Sequence, residues 1–167
     1  MKKFDTLFLD RDGVINVKIK KGYITTSNDL EFMPNALLAI HKLTQIFNRI
    51  IVVTNQQCIG KGIITNVELL NIHTHMLDEV RKHKGNIDKI YYCPHLASDK
   101  CQCRKPKPGM IIKALEEFPE IDINHSYLIG DSDSDIEAGE SQGLTSIKVD
   151  NEYTLFFWYS DLIRLIE

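Results

Sequence analysis

Residues 4–13 read FDTLFLDRDG: a short, mostly apolar run, two aspartates flanking an arginine, and a glycine. The run has the length of one strand, which puts Asp10 at its carboxyl edge and Asp12 two residues later, before a glycine that permits a sharp turn. Two carboxylates thus crowd one rim. Taken alone, such a pair is also what a turn with two solvated aspartates looks like, so the rest of the chain has to decide its meaning.

Comparable apolar runs predict strands over 49–53, 87–92, 125–129 and 144–149, and helical periodicity covers 34–47, 66–83, 108–118, 134–142 and 153–166. Thr65 with Glu68 forms a capping box, Pro108 suits a first helical turn, and Gly143 suits a helix stop. Strand and helix alternate, so the expected fold class is α/β, a doubly wound and mostly parallel sheet. Ligands of such sheets sit outside the carboxyl ends of the strands, near the topological switch point. There IIVVTN ends in Thr54 and Asn55, and YLIGDSDSD ends in Gly130 and Asp131, with Asp133 and Asp135 beyond. An acidic cluster with a hydroxyl is what magnesium-assisted phosphoryl transfer needs, and a carboxylate can itself serve as nucleophile.

The 167 residues, 43% of them hydrophobic, suffice for one domain over 1–167. A net charge of −3 gives no broad positive field, so nucleic acid is not an expected partner. No apolar run approaches the roughly 20 residues that span a bilayer. The start MKKFDTLFLDRDG lacks a signal-type apolar region. A cytoplasmic monomer without membrane contacts is the expectation.

Residues 93–109, CPHLASDKCQCRKPKPG, put Cys93, His95, Cys101 and Cys103 into one loop. C-x-H-x5-C-x-C supplies the ligand set of a closed tetrahedral zinc with no open catalytic position. A redox pair would want C-x-x-C, a nucleic-acid finger conflicts with the acidic chain, and free thiols beside a loop histidine are the plain alternative. Cys58 reads as a small loop or core residue. His73 and His75, at i and i+2 of a helix, point about 200° apart and cannot share a metal, and the aromatic tail at 156–159 reads as a docking face for the core.

FLDRDG, VVTN, the lysine of CRKPKPG and GDSDSD, in this order at these strand ends, resemble the haloacid dehalogenase superfamily of phosphatases over almost the whole chain to about residue 149. A receiver domain shares the strand-end aspartate but lacks the second one. The resemblance implies that Asp10 attacks phosphorus, that Asp12 protonates the leaving alkoxide and then activates water, and that Thr54 and Lys105 hold the phosphoryl oxygens. It implies magnesium held by Asp10, the Asp12 backbone carbonyl and Asp131, with Asp135 orienting the site and Asp133 merely solvated. No cap domain is expected, since the loops after the first two strands are short.

The cysteine loop running into CRKP is similar to the branch that holds the heptose-bisphosphate and histidinol-phosphate phosphatases, and it carries zinc over to Cys93, His95, Cys101 and Cys103. The five-residue gap between His95 and Cys101 looks like the histidinol-phosphate type. NVKIKKGYI, LEFMPNA, TNQQCIGKGIIT and RKPKPGM look more like the heptose type, and four segments outweigh one gap. The matched segments make Gly22, Tyr23, Asn55, Gln57 and Arg104 the substrate contacts, and the implied partner is a small sugar phosphate. Arg104, with Lys61 and either Lys20 or Lys21, is expected to serve a second phosphate, while the plain reading of Lys18, Lys20 and Lys21 is a solvated loop face. Cys58 in place of the usual glycine, two extra residues before Gly22, and Ser132 in place of a basic residue bear on specificity. A zinc-stabilised binding domain without turnover is the alternative from another class.

Overall fold

A computed structural model describes residues 2–166 of the chain. Its sheet is β1 (Phe4–Leu9), β2 (Phe47–Asn55), β3 (Lys89–Cys93), β4 (Tyr127–Gly130) and β5 (Thr145–Lys148), every pair parallel, in the order β3-β2-β1-β4-β5. The helices are α1 (Ala36–Ile46), α2 (Gln57–Gly60), α3 (Asn66–Lys82), α4 (Gly109–Glu117), α5 (Asp133–Glu140) and α6 (Leu155–Ile166). The expected doubly wound α/β sheet is therefore observed, and the loops after β1 and β2 insert no further sheet. No described helix is long and apolar enough to cross a membrane.

Because side chains alternate across a strand, β1 and β2 feed two cores. Leu7, Leu9, Ile50 and Val52 pack with Ile40, Leu43, Ile72, Met76 and Trp158 on one face, and Phe8, Ile51 and Val53 pack with Met110, Ile111, Ala114 and Ala138 on the other. Burial on both faces explains why these strands read as continuous apolar runs rather than alternating ones. The aromatic tail docks as expected: Trp158 lies 5.7 Å from Tyr127 and 6.4 Å from Phe47, ring centre to ring centre, although Phe157 is half exposed.

Some boundaries move. Phe47 opens β2 instead of closing α1, since its ring stacks 5.1 Å from Phe4 at the paired start of β1. Pro108 is the residue before α4, whose first N–H, that of Gly109, donates to Gln102 O in the cysteine loop. The Thr65–Glu68 capping box at the start of α3 forms as expected.

The chain builds outward from β1 through β2 to β3, then returns to place β4 on the other side of β1. The switch point is therefore at β1 and β4, and register sets it: Leu9 pairs with both Val52 and Ile129, and the Asp10 N–H donates to Ile129 O. Asp10 and Asp131 emerge side by side.

Candidate active site

At that point one oxygen each from Asp10, Asp131 and Asp135 lie within 4.8 Å of one another. Lys105 penetrates the group from beyond β3, donating to Asp10 at 2.9 Å and to Val53 O at 2.7 Å, and pairing with Asp135 at 2.5 Å. Asp135 also receives the Ser132 N–H and hydroxyl at the head of α5, so one side chain fixes both a helix start and the lysine. It fits only because residue 130 is glycine: a Cβ there would lie 2.2 Å from Asp135 Cβ. Burial drives the Asp10 carboxyl up to about 7, against the pull of Lys105 and with the push of Asp135 and Asp12. Burial would lower Lys105, but Asp10 and Asp135 outweigh it and raise its pKa. Asp131 Oδ1 is buried and finds no partner among the described residues. Hard oxygen donors with one buried and unspent fit a magnesium ion.

Asp12 faces a different set. Arg11 Nη2 donates to its Oδ1 at 2.8 Å, Asn16 Nδ2 to the same oxygen at 3.0 Å, and Gln56 Nε2 to Oδ2 at 2.9 Å. Burial alone would raise the Asp12 pKa; Arg11, Asn16 and Gln56 prevail and hold it below the usual carboxylate range. Arg11, only 1% exposed, spends Nη1 on His73 Nε2 at 3.2 Å. Since arginine only donates, Nε2 is the acceptor and the His73 proton sits on Nδ1. Burial and the Arg11 charge push His73 down to about 3, so it stays neutral.

A cavity of about 270 Å³ opens above these groups, lined by Asp10, Asp12, Lys105, Asn55, Gln57, Gly22, Tyr23, Arg104 and Lys18 among others. Gln57 and Lys61 both donate to the Tyr23 hydroxyl, at 3.0 and 2.8 Å. Asn55 ties β2 to the basic segment, accepting from Lys105 N–H and donating to Lys105 O. Thr54 is fully buried and is not part of the lining; its hydroxyl accepts from Gln56, leaving its own proton to donate. In the cysteine loop, donor atoms of Cys93, His95, Cys101 and Cys103 lie within 4.8 Å of one another, with His95 Nδ1 3.2 Å from Cys103 Sγ. Burial alone would raise the Cys101 thiol; the Arg104 N–H and the other two thiols bring it down to about 7. Three converging sulfurs and an imidazole fit zinc.

Several expectations need correcting. Lys18 does not face solvent alone: its ammonium reaches Asp131 Oδ2 at 2.8 Å. Lys20 and Lys21 are exposed and do not line the cavity, and Lys61 is occupied by Tyr23. Two readings hold: Asp133 is an exposed surface residue, paired there with Lys148, and Cys58 is a core residue. Arg11, Asn16, Gln56 and His73 were not marked out from sequence. An arginine between two aspartates at the end of a buried strand was the available signal for the first of them.

The HAD-hydrolase-like family pattern matches residues 102–154. Two relatives are named D-glycero-alpha-D-manno-heptose-1,7-bisphosphate 7-phosphatase. One, from Mycobacterium bovis, is 40% identical over 78% of this chain and 69% of its own. The other, from Campylobacter jejuni, is 39% identical over 90% and 84%. A crystal structure of D,D-heptose 1,7-bisphosphate phosphatase from B. bronchiseptica, complexed with magnesium and phosphate, superposes with a TM-score of 0.88 at 28% identity, covering 99% of each chain. The chain belongs to the HAD-like hydrolases, among the heptose-bisphosphate phosphatases.

Proposed function

We propose that the protein is a magnesium-dependent phosphatase that removes the 7-phosphate of D-glycero-D-manno-heptose 1,7-bisphosphate through a phosphorylated Asp10. The observation that carries this reading is Lys105 held between Asp10 and Asp135 beside the unspent oxygen of Asp131, and the names of the relatives support the substrate.

Asp10 attacks phosphorus as the bond to the sugar oxygen breaks, and Asp12 gives that oxygen its proton. Asp12 then takes a proton from the water that attacks the phosphorylated Asp10, which releases inorganic phosphate and restores both side chains. The Arg11, Asn16 and Gln56 cradle favours the ionised Asp12 that this second half needs; an arriving phosphate anion opposes it and favours the protonated form needed first. Lys105 and the Thr54 hydroxyl are the donors for the transferring oxygens. Asp10, the Asp12 carbonyl and Asp131 would hold magnesium, which when bound would supply positive charge to the phosphoryl group. Zinc on Cys93, His95, Cys101 and Cys103 stiffens the loop that delivers Arg104 and Lys105.

Asn55, Gln57, Gly22, Tyr23 and Arg104 form the sugar and second-phosphate contacts. Arg104 has no carboxylate partner among the described residues, and its forked donors suit a phosphate. Histidinol phosphate offers Arg104 no second phosphate: it carries an ammonium on the carbon next to the phosphorylated one and an imidazole at its far end. The test is phosphate release from the heptose bisphosphate and from histidinol phosphate, compared as kcat/KM. Magnesium-dependent turnover that favours the bisphosphate and disappears in Asp10→Asn is expected; a preference for histidinol phosphate, or no turnover of either, overturns the reading.

A further inference from the structure

We infer that Lys18 is a displaceable cation: it occupies Asp131 until a divalent ion claims that carboxylate, and then anchors the phosphate of the substrate that is not transferred. The inference rests on the bisphosphatase reading above and adds a residue and an order of events to it.

The cations of the site divide by what they can leave. Lys105 is 5% exposed and bound by two carboxylates and a carbonyl, and Arg11 is buried between Asp12 and His73. Neither can reorient toward a ligand at the cavity mouth without stranding buried charge. Lys18 differs: it rises from the loop between β1 and α1, its side chain is 56% exposed, and its single carboxylate partner among the described residues is Asp131, at 2.8 Å. It also lines the cavity alongside Arg104.

Asp131 presents two unlike oxygens, Oδ2 on the Lys18 ammonium and Oδ1 buried and unpartnered. A divalent ion drawn to Oδ1 and Asp10 brings two positive charges beside the Lys18 ammonium, and the ammonium, on a flexible stem in contact with water, is the group that yields. Released, it stays tethered over the cavity, where together with Arg104 it can take a second phosphate. A monophosphate offers it nothing.

The test is Lys18→Met, made in the full chain and checked for wild-type melting. Calorimetric titration with magnesium alone, without substrate, reads the first half: removing an exposed competing pair should tighten magnesium binding about three- to fivefold, an advantage that shrinks in high salt. Steady-state kinetics read the second half. KM for the 1,7-bisphosphate should rise about tenfold with kcat little changed, while KM for the 7-monophosphate rises far less. Magnesium affinity that is unchanged or weaker in the variant overturns the displacement, and an equal KM increase for both substrates overturns the anchor. A wild-type protein that does not turn over the bisphosphate defeats the functional reading instead, and the magnesium titration still judges Lys18.

Discussion

Replacing Asp10 by asparagine should make the metal-free protein more stable while ending turnover. Asp10 is 8% exposed, and burial beside Asp135 and Asp12 lifts its pKa from 3.8 to about 7 despite Lys105. The folded state thus holds this proton more tightly than the unfolded chain does. The stability the group contributes is complete below about pH 4 and is lost as the pH rises through about 7, a total of about 4 kcal/mol. Asparagine has nearly the same shape and never ionises, so the variant escapes that loss, although Lys105 keeps only Asp135 as a counter-ion. Taking the difference between two pH values cancels the Lys105 contribution: from pH 5 to pH 8 the variant should gain about 2–3 kcal/mol on the wild type. At roughly 2–4 °C per kcal/mol for a chain of this size, that is a relative melting shift of about 5–10 °C. Urea unfolding of both proteins with a chelator present, at the two pH values, measures it. A gap that stays constant between pH 5 and pH 8, or narrows, would refute the reasoning. Saturating magnesium should close most of the gap by stabilising the wild type alone.

Lys105→Met leaves two buried carboxylates facing each other, and urea unfolding at pH 8 should show a loss of about 3–5 kcal/mol, smaller at pH 5 where Asp10 takes up a proton. Cys103→Ser removes one ligand of the sulfur cluster; metal analysis should find about one zinc per wild-type chain and none in the variant, and a zinc chelator should lower the melting temperature of the wild type only. His73→Leu strips Arg11 Nη1 of its acceptor and should cost about 1–3 kcal/mol together with a fall in kcat. His73→Gln, which keeps an acceptor, should recover most of both, and equal behaviour of the two variants in denaturation and kinetics counts against the Arg11 relay.

The fold was legible because the central strands β1 and β2 are covered on both sides and therefore appear as apolar runs, and because Thr65 and Gly143 mark helix ends with local chemistry. Phe47 was not, since an aromatic residue after an amphipathic stretch satisfies helical spacing equally well and only its stacking on Phe4 assigns it to β2. Asp10, Asp131 and Lys105 could be found because strand ends and a short basic motif announce them. His73 and Lys18 could not, because their meaning lies in distant partners. Arg11 meets a histidine 62 positions away, and Lys18 meets an aspartate 113 positions away. In the sequence the first pair is an arginine in a motif and a histidine in a helix, and nothing in either neighbourhood names the other.

The ionic arrangement at the end of β1 also implies an order of filling. Four carboxylates, those of Asp10, Asp12, Asp131 and Asp135, face three cationic side chains, Arg11, Lys18 and Lys105. With every carboxylate ionised, the protein alone is one unit negative at this point, so it attracts a metal ion and repels phosphate. A divalent ion reverses the sign to one unit positive, and a phosphate dianion reverses it again. Each occupant prepares the field for a partner of opposite charge, and the departing phosphate leaves behind the polarity that receives the next one.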